Sequence, residues 1–188
     1  MNLSDIQLVV MEGRRVNGLL AAWIRERGFP NVIISHAPDG LLDHLTPWRN
    51  QVVKDFLAGP CKWLLMFDDD MVPVADTWPM VESEAGLVGC DYIGRNQHGD
   101  LAHTESNVGL GAVKISRRLL EAVPPPWFAF GYSPDGARVQ FCECQHFCAK
   151  ASAAGFPAIR AGRCAHIMPV AVLPGPKGQV EIRLGRFD

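Results

Sequence analysis

No apolar run in this 188-residue chain approaches the length of a membrane span, and residues 1–5 lack the basic and long apolar stretches of a secretory signal. Nor is there an excess of basic charge. The formal net charge of -2 excludes bulk attraction to nucleic acid or to anionic membranes. Six cysteines without a secretory signal fit a reducing compartment. The expectation is a cytoplasmic protein with no membrane span. Internal repeats and low-complexity blocks are absent as well. So is a Walker-type phosphate loop, and Gly109-Leu110-Gly111 lacks the further glycine of a dinucleotide fingerprint. No G-x-S-x-G elbow marks a nucleophilic serine.

What is present suits one globular domain. At 48% hydrophobic the chain can fill a core, whereas two domains would each be short of buried surface. Ile6 to Val10 reads as a first strand. Val16, Leu19, Leu20, Trp23 and Ile24 recur at helical steps, stopped by Gly28 and Pro30. Val32 to Ile34 reads as a second, buried strand ending at Ser35 and His36. Thr46 and Pro47 then open a helix with Trp48, Val52 and Phe56 on its apolar face, closed by Gly59 and Pro60.

Strand, helix, strand, helix, strand is the signature of a parallel α/β sheet. Further strands are expected at Leu87–Cys90, at Gly109–Ile115 and near Ile159. Helices are expected from Arg117 to Ala122, capped by Ser116, and from about Cys144 to Ala154. Residues 169–188 read as a Pro- and Gly-rich tail, with a strand from Val180 to Leu184, following a domain over 1–168. From Lys150 onward basic residues outnumber acids, a charge distribution that suits either a solvated face or contact with phosphates.

The most informative segment is the apolar run Trp63–Phe67 leading straight into Asp68, Asp69 and Asp70. Burying unpaired acids costs several kcal/mol, so the triplet belongs where a strand emerges. In a parallel sheet that carboxyl end is where ligands bind. Adjacent carboxylates there can hold a hard divalent cation and leave positions open for phosphate oxygens.

Four features come one after another in a telling order. An Arg49-Asn50 helix precedes the acidic strand end. Gly109 to Ala112 comes next, with Arg117 to Glu121. Pro126, Trp127 and Phe128 then precede Glu143, Cys144, Phe147 and Cys148, and Cys164, Ala165, His166 and Ile167 come last. Over residues 45–168 this order resembles the small GT-A glycosyltransferases, particularly compact phage and bacterial members.

The resemblance implies a single Rossmann-related GT-A-like domain with a mostly parallel central sheet flanked by helices. It implies that Asp68 and Asp70 match the outer acids of a DxD motif. Those acids hold Mn²⁺ or Mg²⁺ against a nucleotide-sugar diphosphate, and His166 completes the metal site. Asp69 would lie near the donor sugar. Met11, Glu12, Ser35 and His36 would flank the nucleotide, and Arg49 would approach the donor from its helix. Mixed Asp and His ligation suits Mn²⁺ somewhat better than Mg²⁺. The cation would neutralise the departing nucleoside diphosphate.

One departure matters. Family members often carry Glu-Asp where this chain has Glu143-Cys144, and a thiol is a poor base. This leaves open Glu143 as the base, Asp135 swinging in from the preceding loop, a retaining course, or a damaged site.

Cys142, Cys144, His146 and Cys148 alternate along the sequence and could offer zinc a tetrahedral set, although their spacing is tighter than in known structural sites. The sequence reading is therefore a metal-dependent glycosyltransferase acting on an acceptor hydroxyl. Phage-type modified DNA, a small molecule, a lipid and a glycan all remain open as acceptor. The rivals are a non-catalytic nucleotide-sugar or glycan-binding module, a nucleotidyltransferase and a zinc-stapled nucleic-acid module. Oligomeric state is not legible.

Overall fold

A computed structural model describes residues 1–13, 16–36, 45–93 and 106–167, together with the backbone of 170–174 and 180–184. The expected alternation is present: β1 (Ile6–Glu12), α1 (Gly18–Arg27), β2 (Val32–His36), α2 (Leu45–Ala58) and β3 (Trp63–Asp68). After these come β4 (Met71–Pro73), α3 (Trp78–Glu82), β5 (Leu87–Asp91), β6 (Ala112–Ser116) and α4 (Arg117–Ala122). The short strands β7 (Gly131–Tyr132) and β8 (Val139–Phe141) precede α5 (Glu143–Ala153) and β9 (Ala158–His166). In the expected tail, β10 (Val170–Pro174) and β11 (Val180–Leu184) pair as an antiparallel hairpin, so one strand more is present there than the sequence suggested.

Among the described residues the main sheet has seven strands in the order β2-β1-β3-β6-β5-β9-β4. Five run one way, while β6 and β4 oppose their neighbours. This is a mixed α/β fold with a mostly parallel sheet covered by helices.

The strand period of two sorts the core onto both faces. From β1 and β3, Ile6, Leu8, Val10, Leu65 and Phe67 pack with Leu20 and Trp23 of α1 and Met80 and Val81 of α3. Val9, Met11, Leu64 and Met66 point the other way, onto Trp48, Val52 and Phe56 of α2 and Phe147 and Cys148 of α5. Strands buried on both faces read as continuous apolar runs, as β1 and β3 do.

Two expectations are corrected. The second strand is not buried: Val32, Ile33 and Ile34 are 37%, 45% and 40% exposed. Among the described residues β2 pairs only with β1 at the sheet's edge, and an apolar run alone does not distinguish an edge from a centre. Leu19, placed on the apolar stripe of α1, is 64% exposed, and only Leu20 and Trp23 of that helix are fully buried. The helix starts at Gly18 because the Asn17 side chain accepts from Leu20 N–H, and it stops at Gly28 with φ +68°.

Strand β9 joins two parts of the sheet. Its first half runs parallel to β5, and its second half runs antiparallel to β4, with Met71 opposite His166. The change of partner takes place around Gly162, at φ +77°, where a Cβ would collide with the carbonyl oxygen of Asp76.

Candidate functional site

The register of the sheet places several strand ends side by side. Glu12 is opposite His36, and Met11 lies between Ser35 on one flank and Asp68 on the other. Met11 itself is buried and sends its side chain into the core. His36 Nδ1 meets Glu12 Oε2 at 2.5 Å on the exposed rim, while the other Glu12 oxygen accepts from Val16 N–H. Ser35 Oγ accepts from the indole of Trp48.

Asp68 ends β3 facing α2. Arg49 is 2% exposed, so it is no surface residue of its helix. It donates to both Asp68 oxygens, at 2.9 and 3.0 Å, and to the Leu110 carbonyl at 3.1 Å, while its Nε is buried without a partner among the described residues. Burial works against the Arg49 charge, but Asp68, Glu143, Cys144 and Tyr92 more than offset it and raise its pKa. Burial pushes the Asp68 carboxyl up as well, against the guanidinium, with Asp69 and Glu143 adding to the rise. The Asp68 side chain is 29% exposed, so this pair is only partly removed from water.

Asp69 is tied back by its main chain. Its N–H donates to Met11 O, and its carbonyl accepts from Asn17 Nδ2, which also reaches Met71 O. Asp70 lies beside the end of β9: His166 Nε2 is 3.5 Å from Asp70 Oδ2. His166 Nδ1 is 2.8 Å from the carbonyl of Ile93. A carbonyl can only accept, so Nδ1 carries a proton, and Nε2 is the ring nitrogen turned toward Asp70. A backbone carbonyl holding the far ring nitrogen is the usual support of a metal-ligating histidine. Two ligands on one ion with bonds of ~2.1 Å stand roughly 3.0 to 3.4 Å apart. The Asp70–His166 spacing suits that arrangement. Asp68 is engaged with Arg49 and forms no three-residue ligand cluster with Asp70 and His166 among the described residues.

The N-terminus of α5 enters the same neighbourhood. Glu143 is 7% exposed, and no hydrogen bond or ion pair to its carboxylate is found among the described residues. It acts electrostatically on both Arg49 and Asp68. The Cys142 and Cys144 sulfurs lie within 4.8 Å of each other. Their mutual influence draws the Cys142 thiol down to about 6 and, with burial, raises Cys144 well above its ordinary value. His146 stacks on Phe141, its Nε2 buried without a partner among the described residues, and Cys148 faces the Val108 carbonyl. The four alternating residues therefore do not converge as a set.

Asp135 stands apart. It is fully exposed in the β7–β8 turn, bonded to Ser133 Oγ and Ala137 N–H, and these bonds hold its carboxyl below the usual range.

Tyr92 and Asn17 carry no mark in the sequence pattern. Tyr92 comes directly after β5, lies edge-on to His166 and accepts from Gly111 N–H through its hydroxyl. Its position just past the carboxyl end of a strand was the available signal.

No family model matches the chain, and no curated protein matches it. Among solved structures it is similar to A197 from STIV, with 17% identity over 97% of each chain and a TM-score of 0.62. It is also similar to a glycosyltransferase involved in the glycosylation of the major capsid of PBCV-1, with 10% identity over 64% of this chain and 68% of that one and a TM-score of 0.40. The first likeness shows a shared fold. The second is too slight to carry an argument.

Proposed function

We propose that this chain is a glycosyltransferase that binds a nucleotide sugar through a divalent cation at Asp70 and His166 and moves the sugar to an acceptor hydroxyl. One observation carries the reading. The carboxyl edge of the sheet sets a geometrically suitable ligand pair, Asp70 and His166, at the end of the strand from which Asp68 faces Arg49 and Glu143.

The residues divide the work. Asp70 and His166 hold Mn²⁺ or Mg²⁺, which as a Lewis acid offsets the charge on the departing nucleoside diphosphate. Asp68, clamped by Arg49, keeps the strand end in place and presents its exposed edge to the donor. Asp69, fixed through its backbone, faces the sugar. Glu12, Ser35 and His36 border the nucleotide. Glu143 accepts the proton of the acceptor hydroxyl. Because it is buried and unpartnered among the described residues, no competing hydrogen bond has to break first. Cys144, a high-pKa thiol, is left out of the proton transfer.

The test is release of nucleoside diphosphate from a panel of nucleotide sugars with Mn²⁺. Release that depends on the metal and is lost in Asp70→Asn supports the reading. Binding without any turnover points instead to a non-catalytic donor-binding module. Neither binding nor release across the panel overturns both.

A further inference from the structure

The start of α5 gathers ligand atoms that the transferase reading does not use together. Cys142 Sγ, a carboxylate oxygen of Glu143 and Cys144 Sγ all lie within 4.8 Å of one another. Three consecutive residues seldom converge in this way. Here Cys142 is extended (φ -84°, ψ 169°) while Glu143 and Cys144 are already helical, so the chain folds over itself at that junction.

We propose that Cys142, Glu143 and Cys144 bind one zinc ion, at a site separate from Asp70 and His166. In a tetrahedral zinc site with bonds of ~2.0 to 2.3 Å, ligand atoms stand roughly 3.3 to 3.8 Å apart. The three atoms, already within 4.8 Å of one another, have at most about 1 to 1.5 Å to close to reach that distance. Two thiolates and a carboxylate are the soft, anionic set that selects zinc over Mg²⁺ or Mn²⁺.

A second observation points to a cation here. Glu143 is 7% exposed and its carboxylate has no hydrogen-bond or ion-pair partner among the described residues. A buried carboxylate without a hydrogen bond is costly; the Arg49 charge offsets part of that cost, and a cation bound between the two sulfurs offsets more. His146 and Cys148 are directed to Phe141 and to the Val108 carbonyl. The fourth position is therefore left to water or to an exogenous ligand. The site stands whether or not the chain transfers sugars. If it does, zinc and proton transfer compete for Glu143, and zinc inhibits.

The reduced, metal-free protein is titrated first with Co²⁺ and then with Zn²⁺, without nucleotide. The expected result is a thiolate-to-cobalt charge-transfer band that saturates at one equivalent and is displaced by zinc. Cys142→Ser, at a half-exposed position whose fold is checked by circular dichroism, weakens zinc binding by at least about 10²-fold. Cys144→Ala does the same, whereas the thiolate-to-cobalt band persists in Asp70→Asn, because carboxylate and imidazole ligands at that other site give no such band. The proposal is overturned if the wild type gives no charge-transfer band. It is overturned equally if the band survives intact in Cys142→Ser, or if Asp70→Asn removes it. None of these results bears on donor binding, so failure here is distinguishable from failure of the transferase reading.

Discussion

At the scale of single residues, Glu143 and Lys114 illustrate two fates of a buried ionisable group. Glu143 has no hydrogen-bonded partner among the described residues, which suits the proton acceptor proposed above. Replacing it with glutamine preserves shape and removes the base. Turnover is expected to fall by about 10²- to 10⁴-fold with donor binding nearly unchanged. Cys144→Ala should cost little, because the thiol stays protonated at neutral pH. Steady-state kinetics on the two variants checks both statements, and a large loss in Cys144→Ala alone would reverse the assignment.

Lys114 is fully satisfied instead. Its ammonium donates to the carbonyls of Val81 and Ser83 and sits 4.0 Å from the centre of the Trp63 ring. Burial lowers its pKa from 10.5 to about 8. Between those values the unfolded chain holds a proton that the folded one has released, so stability rises with pH through that window. Wild type should therefore gain on Lys114→Met as the pH is raised from about 8 to 10.5. Urea unfolding of both proteins across that range reads it directly, and a constant difference between them would contradict it.

At the scale of elements, what the sequence showed and what it hid have physical reasons. Helix α4 was legible to the residue, because Ser116 accepts from Leu119 N–H as an N-cap and the apolar run ends with it. Helix α2 was legible from its stripe, but not the burial of Arg49 within it. Guanidinium burial depends on a carboxylate nineteen residues away in sequence. The three-residue strand β4 and the five-residue helix α3 are too short to carry a period. The length of β9 was hidden because its two halves pair with different strands. Gly162 makes that exchange possible. Gly162→Ala meets both a positive φ and the Asp76 carbonyl, and should destabilise the fold by about 2 to 3 kcal/mol. It should also weaken cation binding by displacing His166. Chemical unfolding and metal titration of the variant check the two effects, and an unaltered midpoint would show that the crossing tolerates a side chain. Asn17 ties a second element to the site. Its amide holds the Asp69 and Met71 carbonyls while its oxygen caps α1, so Asn17→Ala should cost about 1 to 2 kcal/mol in the same unfolding assay.

At the scale of the whole molecule, the α/β architecture was legible because β1 and β3 are apolar on both faces and the helices between them are striped. The position of the candidate site was also legible, since charge directly after a buried strand has few places to go. Its internal division was not. Asp68 pairs with Arg49 while Asp70 pairs with His166, and that split arises from side-chain direction at the strand end and from a crossover linking residues nearly a hundred positions apart. The central claim is that a cation at Asp70 and His166 joins the protein to a nucleoside diphosphate. Thermal unfolding with UDP and Mn²⁺, separately and together, tests it most directly. The two together should stabilise wild type by about 2.7 kcal/mol at a ligand concentration 100-fold over the dissociation constant, with little effect from either alone and none in His166→Ala. Stabilisation by UDP without the cation, or equal stabilisation of His166→Ala, would contradict the account.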